Sequence, residues 1–174
     1  MFAIHSCPLL PGSLLSAYQA HGAYADCYAT DVAGVVTHEA YVAAFYTSPV
    51  FKVERTILKW VVAKPATDAQ ARRLAAATLD QFAAWRVEKR APNELLLTDY
   101  LGRTRSWLMV APMQMAGGAA TRLYFGSAVV PPASGKPGRE AMGPLFRALL
   151  GFHKLYSVVL LRAARSRVIK GLAV

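Results

Sequence analysis

The stretch TRLYFGSAVVPP, residues 121–132, decides how the C-terminal third of this sequence folds. Its aromatic and β-branched residues predict a strand, and the paired prolines end it because proline cannot donate to a sheet ladder. The following ASGKPGREAMG, residues 133–143, is rich in glycine and proline and predicts a break. We therefore expect the chain to leave this strand and turn back across the sheet.

Residues 143–170 carry the clearest helical pattern in the chain. At about 100° per residue, apolar side chains gather on one side of this helix. They are Leu145, Leu149, Phe152, Tyr156, Val159, Leu160 and Ala163. Arg147, Lys154 and Arg165 fall nearly opposite. The apolar stripe is wide enough to cover a sheet.

Four alternating segments, the last of them in the opening stretch, predict consecutive strands between residues 83 and 130. They are AAWRVEKRA, ELLLTDY, TRSWLMVAPM and TRLYFGSAVV. Pro92-Asn93, Gly102 and Gly117-Gly118 supply the turns between them. Because these turns are short, the strands are expected to form an antiparallel meander.

The first half of the chain predicts one strand and then helices. AYADCYATDVAG, residues 23–34, has a period of two, and Gly34 ends it. Thr37 is a good N-cap for a helix over 38–47. Helical spacing continues from residue 51 to 64, and again over 67–80 with Thr67 or Asp68 as cap. This gives five strands, and HSCPLL at residues 5–10 is a candidate for a further edge strand.

Composition bounds the class of protein. The 174 residues are 55% hydrophobic and 17% charged, which fits one domain over residues 1–174 with a sizeable core. No stretch reaches the roughly 18 apolar residues that a spanning helix needs, and the N-terminus is a poor signal peptide. We therefore expect a cytoplasmic protein.

The net charge of +10 favours contact with anions such as anionic lipid, nucleic acid or acidic small molecules.

Motifs for chemistry are sparse. Cys7 and Cys27 could form a disulfide, but free thiols are the interpretation we prefer. The histidines show no metal-ligand spacing, and no phosphate loop or nucleophile motif is present, so neither a metal nor a cofactor is predicted. Asp99 with Tyr100 is interpreted as a turn-stabilising pair, with a polar cluster at a pocket mouth as the alternative.

The order of elements resembles the helix-grip fold of the START-like (SRPBCC) superfamily, which includes polyketide cyclases and lipid-transfer domains. YADCYATD matches its first strand, and THEAYVAAFYTSP with FKVERTILKWVV its helical insert. WLMVAPM and TRLYFGSAVV match late strands, and MGPLFRALLGFHKLYSVVLLRAARSRV the gripping helix. The end of that helix also looks like bacterial members of this superfamily. The family usually has six or seven strands, which is more than the five expected here.

The resemblance implies an α+β helix-grip fold, in which a curved antiparallel sheet wraps a long C-terminal helix and short helices follow the first strand. It also implies a hydrophobic cavity between sheet and helix. We expect this cavity to bind a small hydrophobic or amphipathic ligand without a cofactor. The candidate ligand-binding residues are Trp107, Arg105, Phe125, Phe152, His153 and Tyr156. Alternate residues of a strand face opposite sides, and the sequence does not decide which set faces inward.

Two alternatives remain open. The same pocket could serve a cyclase- or hydrolase-like enzyme, with His153 and a Tyr or Asp as acid and base. The basic end of the last helix could instead contact an anionic membrane surface. A solvated helix end is the interpretation we prefer for it, and nucleic acid is not favoured because no RNA-binding aromatic motif is present.

Overall fold

The computed structural model describes residues 3–53, 66–130 and 144–172, with side chains from residue 154 onward in the last range. Within these ranges the chain is α+β, with a seven-stranded, open and curved antiparallel sheet and a long C-terminal helix. The strands are β1 (His5–Ser6), β2 (Tyr24–Ala33), β3 (Gln81–Phe82), β4 (Trp85–Ala91), β5 (Glu94–Asp99), β6 (Thr104–Met115) and β7 (Gly118–Val129). The helices are α1 (Ser16–Ala20), α2 (His38–Tyr46), α3 (from residue 49 through 53), α4 (Asp68–Ala75) and α5 (Pro144–Leu172).

The strand order is β1-β2-β7-β6-β5-β4-β3, with every neighbouring pair antiparallel. The predicted meander is confirmed in β4 to β7, and so is the first long strand. That strand, β2, pairs with β7 along its whole length, from Tyr24 opposite Val129 to Ala33 opposite Ala120. Residues 121–129 are therefore part of a central strand between β2 and β6, and the predicted break over 131–143 lies outside the described residues. This arrangement is compatible with a helix-grip fold.

Two short strands raise the number above the predicted five. The edge strand expected from HSCPLL is present as β1, which pairs His5 with Ala29 and Ser6 with Tyr28. The other, β3, directly follows the stretch 67–80 that was predicted to be helical, and it was not expected. It pairs with β4 through a two-residue turn in which Ala83 has a φ of 53°.

The third predicted helix begins as expected and ends early. Thr67 caps α4, and its hydroxyl accepts a hydrogen bond from the backbone of Gln70 in a reciprocal capping box. The predicted end at residue 80 is wrong, because a Schellman motif closes the helix at Ala75. The backbone N–H groups of Ala77 and Thr78 donate to the carbonyls of Leu74 and Arg73. Ala77 occupies the left-handed position with a φ of 56°, where glycine would have marked the end in the sequence.

The helix predicted from residue 51 to 64 begins within α3, and the rest of it lies outside the described residues. The predicted C-terminal helix is confirmed as α5, but its buried stripe is rotated from the predicted one. The buried positions are Ser157, Leu160, Leu161, Ala164 and Val168. Val159 is 39% exposed, which contradicts its predicted place on the apolar side. The stripe turns because α5 packs against α2 as well as against the sheet, so two surfaces set its buried side.

The sheet is covered on both sides. The helix face packs against α2, α4 and α5 in one apolar cluster that includes Leu108, Leu123 and Phe125. The opposite face packs against the N-terminal segment 7–18, which we call the strap, in a second cluster around Trp107. We call this side the strap face. Within the described residues, no helix is long and apolar enough to cross a membrane.

Candidate functional site

Phe125 and Tyr156 are the predicted site residues that the structure places on the helix face. Phe125 is buried, and its ring centroid lies 4.9 Å from that of Phe45 on α2. Tyr156 is half-buried and packs against the same cluster. Both therefore lie where the cavity was expected, between the sheet and α5.

Trp107 and Arg105 lie on the other side of the sheet. In the register of β6 with β7, Leu108 is opposite Phe125, so Trp107 and Arg105 project to the strap face. Trp107 is fully buried there and Arg105 forms an ion pair with Glu88 at 2.6 Å. The expectation that these two residues share one cavity with Phe125 is wrong. Strand periodicity groups residues into two sets but does not say which set faces a helix.

Phe152 and His153 lie within α5, and their side chains are outside the described part of the chain. Their role as ligand contacts stays a prediction.

Asp99 stabilises a turn, which is the role that was preferred for it. Its carboxylate accepts hydrogen bonds from the backbone N–H groups of Arg103 at 2.7 Å and Thr104 at 3.1 Å. It therefore closes the turn at Gly102 between β5 and β6.

Aromatic side chains fill much of the described helix face. Phe45 contacts Tyr41, Tyr46, Phe51 and Phe125 with ring centroids between 4.9 and 6.2 Å apart. These rings are almost fully buried and meet edge-to-face or tilted, as aromatic pairs in protein interiors prefer. Where side chains are described, the space in front of the middle of the sheet is thus packed rather than open.

A row of polar side chains crosses the helix face near one end, and sequence reasoning missed it. Ser127 donates to the carboxylate of Asp26 at 2.6 Å, and Ser106 lies opposite Ser127 on the next strand. The hydroxyl of Tyr46 lies 3.3 Å from that of Ser106. Asp26 has the same strand parity as the buried Tyr28, which was the signal available in the sequence. The row is a polar patch beside the apolar cluster of this face.

A concavity formed by described residues lies at the other end of the helix face. We call it the α2 groove, because the residues leading into α2 form one wall. It has a volume of about 820 Å³, within the range of small-molecule sites. Its lining combines apolar Val36, Val110 and Ala120 with polar His38, Arg90 and Gln114.

Two sets of hydrogen bonds hold the walls of the α2 groove in place. Thr121 accepts from the backbone N–H of Val36 and donates to the carbonyl of Gly34, both at 2.9 Å, which ties the entry of α2 to β7. On the opposite wall Arg90 donates to the carbonyls of Leu74 and Leu79 at 3.1 and 3.0 Å. Arg90 thereby fixes the end of α4 to β4. The groove is preformed, since its walls are bonded to the sheet.

His38 is the ionisable group of most interest in this groove. Its Nε2 lies 3.3 Å from the carbonyl oxygen of Leu108. A carbonyl only accepts, so this contact assigns the proton to Nε2 and leaves Nδ1 as an acceptor. Burial is the largest influence on His38 and holds its pKa below the usual value, although the backbone hydrogen bond acts in the other direction. The imidazole is therefore neutral at neutral pH.

His38 was not singled out from the sequence, because a histidine at the start of a helix carries no spacing signal. Among the described residues, no group of three His, Cys, Asp or Glu side chains is placed to hold a metal ion. The α2 groove can offer shape, apolar surface and hydrogen-bonding groups.

No protein-family model matches this chain, and no curated protein matches it. The class of protein is therefore defined by the structure alone. It is an α+β protein whose antiparallel sheet is covered by a C-terminal helix on one side. Membership of the START-like superfamily stays a prediction based on the order of the elements.

Proposed function

We propose that the protein binds a small amphipathic molecule in the α2 groove. The observation that supports this most strongly is the groove itself, a preformed concavity of about 820 Å³ between the sheet and α2. Small-molecule sites combine an apolar lining with a few placed polar groups. Val36 and Val110 supply the apolar part.

The polar groups select the kind of ligand. Nδ1 of the neutral His38 accepts a hydrogen bond and so suits a hydroxyl or N–H donor on the ligand. Arg90 already donates to two backbone carbonyls and pairs with Asp80 at 3.3 Å, so its role is to hold the wall. We therefore expect an uncharged molecule with an apolar body and a donor group. The site lies on the same face of the sheet as Phe125 but away from α5.

The test uses N-phenyl-1-naphthylamine, an uncharged fluorescent probe with one N–H donor. An uncharged probe separates groove binding from the general attraction of anions to a chain of net charge +10. Ala119 is exposed and lines the groove, so Ala119→Trp should fill part of it. Probe affinity should fall at least tenfold in that variant.

Ala116→Trp is the matched control, because Ala116 is also exposed and lies in the turn between β6 and β7, outside the groove lining. It should bind the probe as the native chain does. Both variants should keep the native circular dichroism spectrum. Equal probe binding by the two variants would contradict the proposed site. Native mass spectrometry of the purified chain would then be used to look for a co-purified molecule.

A second candidate function has its own observation. The C-terminal end of α5 packs beside the loop before α2, and a shallow groove there is lined by Arg72, Arg167, Val35 and Leu172. Val35 is 72% exposed and Leu172 is 48% exposed, both beside exposed arginines. Exposed apolar side chains among cations match the chemistry of an anionic membrane surface.

We propose peripheral contact of this end with anionic lipid. Vesicles of phosphatidylcholine with phosphatidylserine should sediment the protein, and added salt should weaken this because it screens the charges. The double variant Arg72→Glu with Arg167→Glu should lose binding. Arg86→Glu with Arg103→Glu changes the net charge equally at exposed positions elsewhere and should retain it. If both double variants lost vesicle binding equally, the loss would be a non-specific effect of net charge. That result would refute the proposed contact surface.

A further inference from the structure

The two cysteines of the chain face each other across the pairing of β1 with β2. Residues 5 and 6 pair with residues 29 and 28, so Cys7 continues the register opposite Cys27. The backbone N–H of Cys7 donates to the carbonyl of Cys27 at 3.0 Å. The Cys7 thiol lies 3.3 Å from that of Cys27, sulfur to sulfur. Both are free cysteines.

This contact joins the strap to the sheet. Cys7 begins the strap, and Cys27 lies on β2 with its side chain on the strap face, in the same cluster as Leu15 and Trp107. Further along the strap, the backbone N–H of Leu14 donates to Glu94 at 2.8 Å. The strap is thus fixed by a polar bond near its far end and by the thiol pair at its start.

The two thiols differ in their surroundings. Cys27 is 1% exposed, and burial raises its pKa, so its thiolate is scarce at neutral pH. Cys7 is half-buried and therefore open to a small oxidant. A reagent would meet Cys7 first, and Cys27 stands directly behind it. This is the arrangement of an attacking thiol and a resolving thiol.

We propose that Cys7 and Cys27 are a redox modification site, at which a small disulfide oxidant links the strap to β2 reversibly. The thiolate of Cys7 attacks one sulfur of glutathione disulfide, forms a mixed disulfide and releases one glutathione. Cys27, deprotonated to solvent, then attacks the Cys7 sulfur, forms the Cys7–Cys27 bond and releases the second glutathione. Two protein thiols are oxidised and one glutathione disulfide is reduced to two thiols, so the electrons balance.

The linkage requires little movement. The sulfur atoms must approach by about 1.2 Å to reach a bond length of about 2.05 Å, which side-chain rotation allows when the backbones are already paired. The bond would close a loop containing the strap and α1. Closing such a loop restricts the unfolded chain, so the oxidised protein should melt at a temperature about 5–10 °C higher than the reduced protein.

The experiment incubates the reduced, full-length chain with defined ratios of glutathione disulfide to glutathione. Mass spectrometry without reductant should show the loss of two hydrogen atoms per chain and no bound glutathione. Both thiols should disappear together and return with dithiothreitol. Because the chain has two cysteines in total, no other pair competes.

Two variants make the result decisive. Cys27→Ser should accumulate the mixed disulfide on Cys7, because no second thiol can displace the glutathione. Cys7→Ser should react at least tenfold more slowly, because Cys27 is buried. A native chain that stops at the mixed disulfide, or that stays reduced in excess glutathione disulfide, would overturn the proposal. So would an oxidised chain linked between two molecules rather than within one.

Discussion

The two faces of the sheet are both buried, but they are buried in different ways. On the helix face, the four helices α2 to α5 bring a broad cluster of aliphatic and aromatic side chains against the strands. On the strap face, twelve residues of largely irregular chain cover a smaller cluster around Trp107. Polar bonds supplement that cover, since Glu94 accepts from the backbone of Leu14 at 2.8 Å and from the indole of Trp107 at 2.7 Å.

The difference shows what a short irregular segment requires if it is to bury one face of a sheet. A helix brings a wide apolar stripe, so its contact with the sheet is mainly apolar area, and polar bonds such as that between Val36 and Thr121 add to it. A strap brings few side chains and must lie close to the sheet. Gly126 permits this approach, because a Cβ there would lie 2.7 Å from Leu15 and 2.9 Å from the carbonyl oxygen of Asp26. The strap face therefore depends on individual contacts, and the helix face depends on area.

The largest expected effect compares equal truncations on the two faces. Leu123 on β7 and Leu15 in the strap are both fully buried. Leu123→Ala should lower the free energy of unfolding by about 4 kcal/mol, because the central strand cannot close the cavity. Leu15→Ala should lower the free energy of unfolding by about 2 kcal/mol, because the strap can move to fill part of the cavity. Urea denaturation measures both, and equal losses would remove the distinction between the faces.

The next effect tests the close approach of the strap. Gly126→Ala should destabilise the protein by about 1–3 kcal/mol, because the new methyl group meets a backbone oxygen that cannot move away. Gly117→Ala is the matched control, since a Cβ there has nothing within 4 Å. The control should change stability little. A neutral Gly126→Ala would show that Leu15 of the strap and the carbonyl of Asp26 on β2 leave more room at this position than the structure indicates.

A smaller effect isolates the polar anchor of the strap face. In a double-mutant cycle, Glu94→Gln and Trp107→Phe should show a coupling of about 1 kcal/mol, because the indole N–H donates to a carboxylate. The glutamine still accepts hydrogen bonds, so most of its effect should come from the lost charge. Thermal or urea unfolding of the four proteins gives the coupling. Additive losses would mean that this contact contributes packing alone.

The smallest expected effect is a difference between the two faces in how the free energy of unfolding depends on pH. The pKa of His38 is lowered in the folded protein, so the unfolded chain takes up the proton more readily. Stability from this group is complete above its ordinary pKa of 6.5 and is lost as the pH falls below that value. His38→Gln should make the free energy of unfolding less dependent on pH in that range, and urea denaturation at several pH values measures this.

On the strap face, the free energy of unfolding should change at lower pH. Arg122 forms two hydrogen bonds with Asp31 at 2.6 and 2.9 Å, and these hold the pKa of that carboxyl below its ordinary 3.8. Its contribution is present above pH 3.8 and is lost as the pH falls through the folded pKa. Asp31→Asn should therefore alter stability in the acid range and leave the response near pH 6 unchanged.

Much of the fold could be predicted from local pattern. Strand alternation, turn residues and the cap at Thr37 located β2, α2 and the meander of β4 to β7. The misjudged end of α4 has a local cause, since alanine rather than glycine holds the left-handed position at residue 77. The short β3 exists only because β4 is beside it, which is a relation that no window of sequence contains.

The candidate site was less predictable. Trp107 and Arg105 were grouped correctly by strand parity, yet the side they face depends on which segment packs against which surface. His38 and Arg90 meet in one groove because α2 and β4 are brought together by the sheet. The polar row of Asp26, Ser127 and Ser106 spans three strands and likewise forms only through their register.

The sequence by itself determined the long strands, most of the helices and the two residue sets on each strand, because these follow from periodicity along the chain. Only the tertiary structure decided that the helices cover the set with Leu108 and the strap covers the set with Trp107. The physical reason is that both sets are apolar, so hydrophobic burial favours covering each without specifying the cover. Contacts between segments that are distant in sequence, such as Leu14 with Glu94 and Cys7 with Cys27, hold the strap on its face of the sheet.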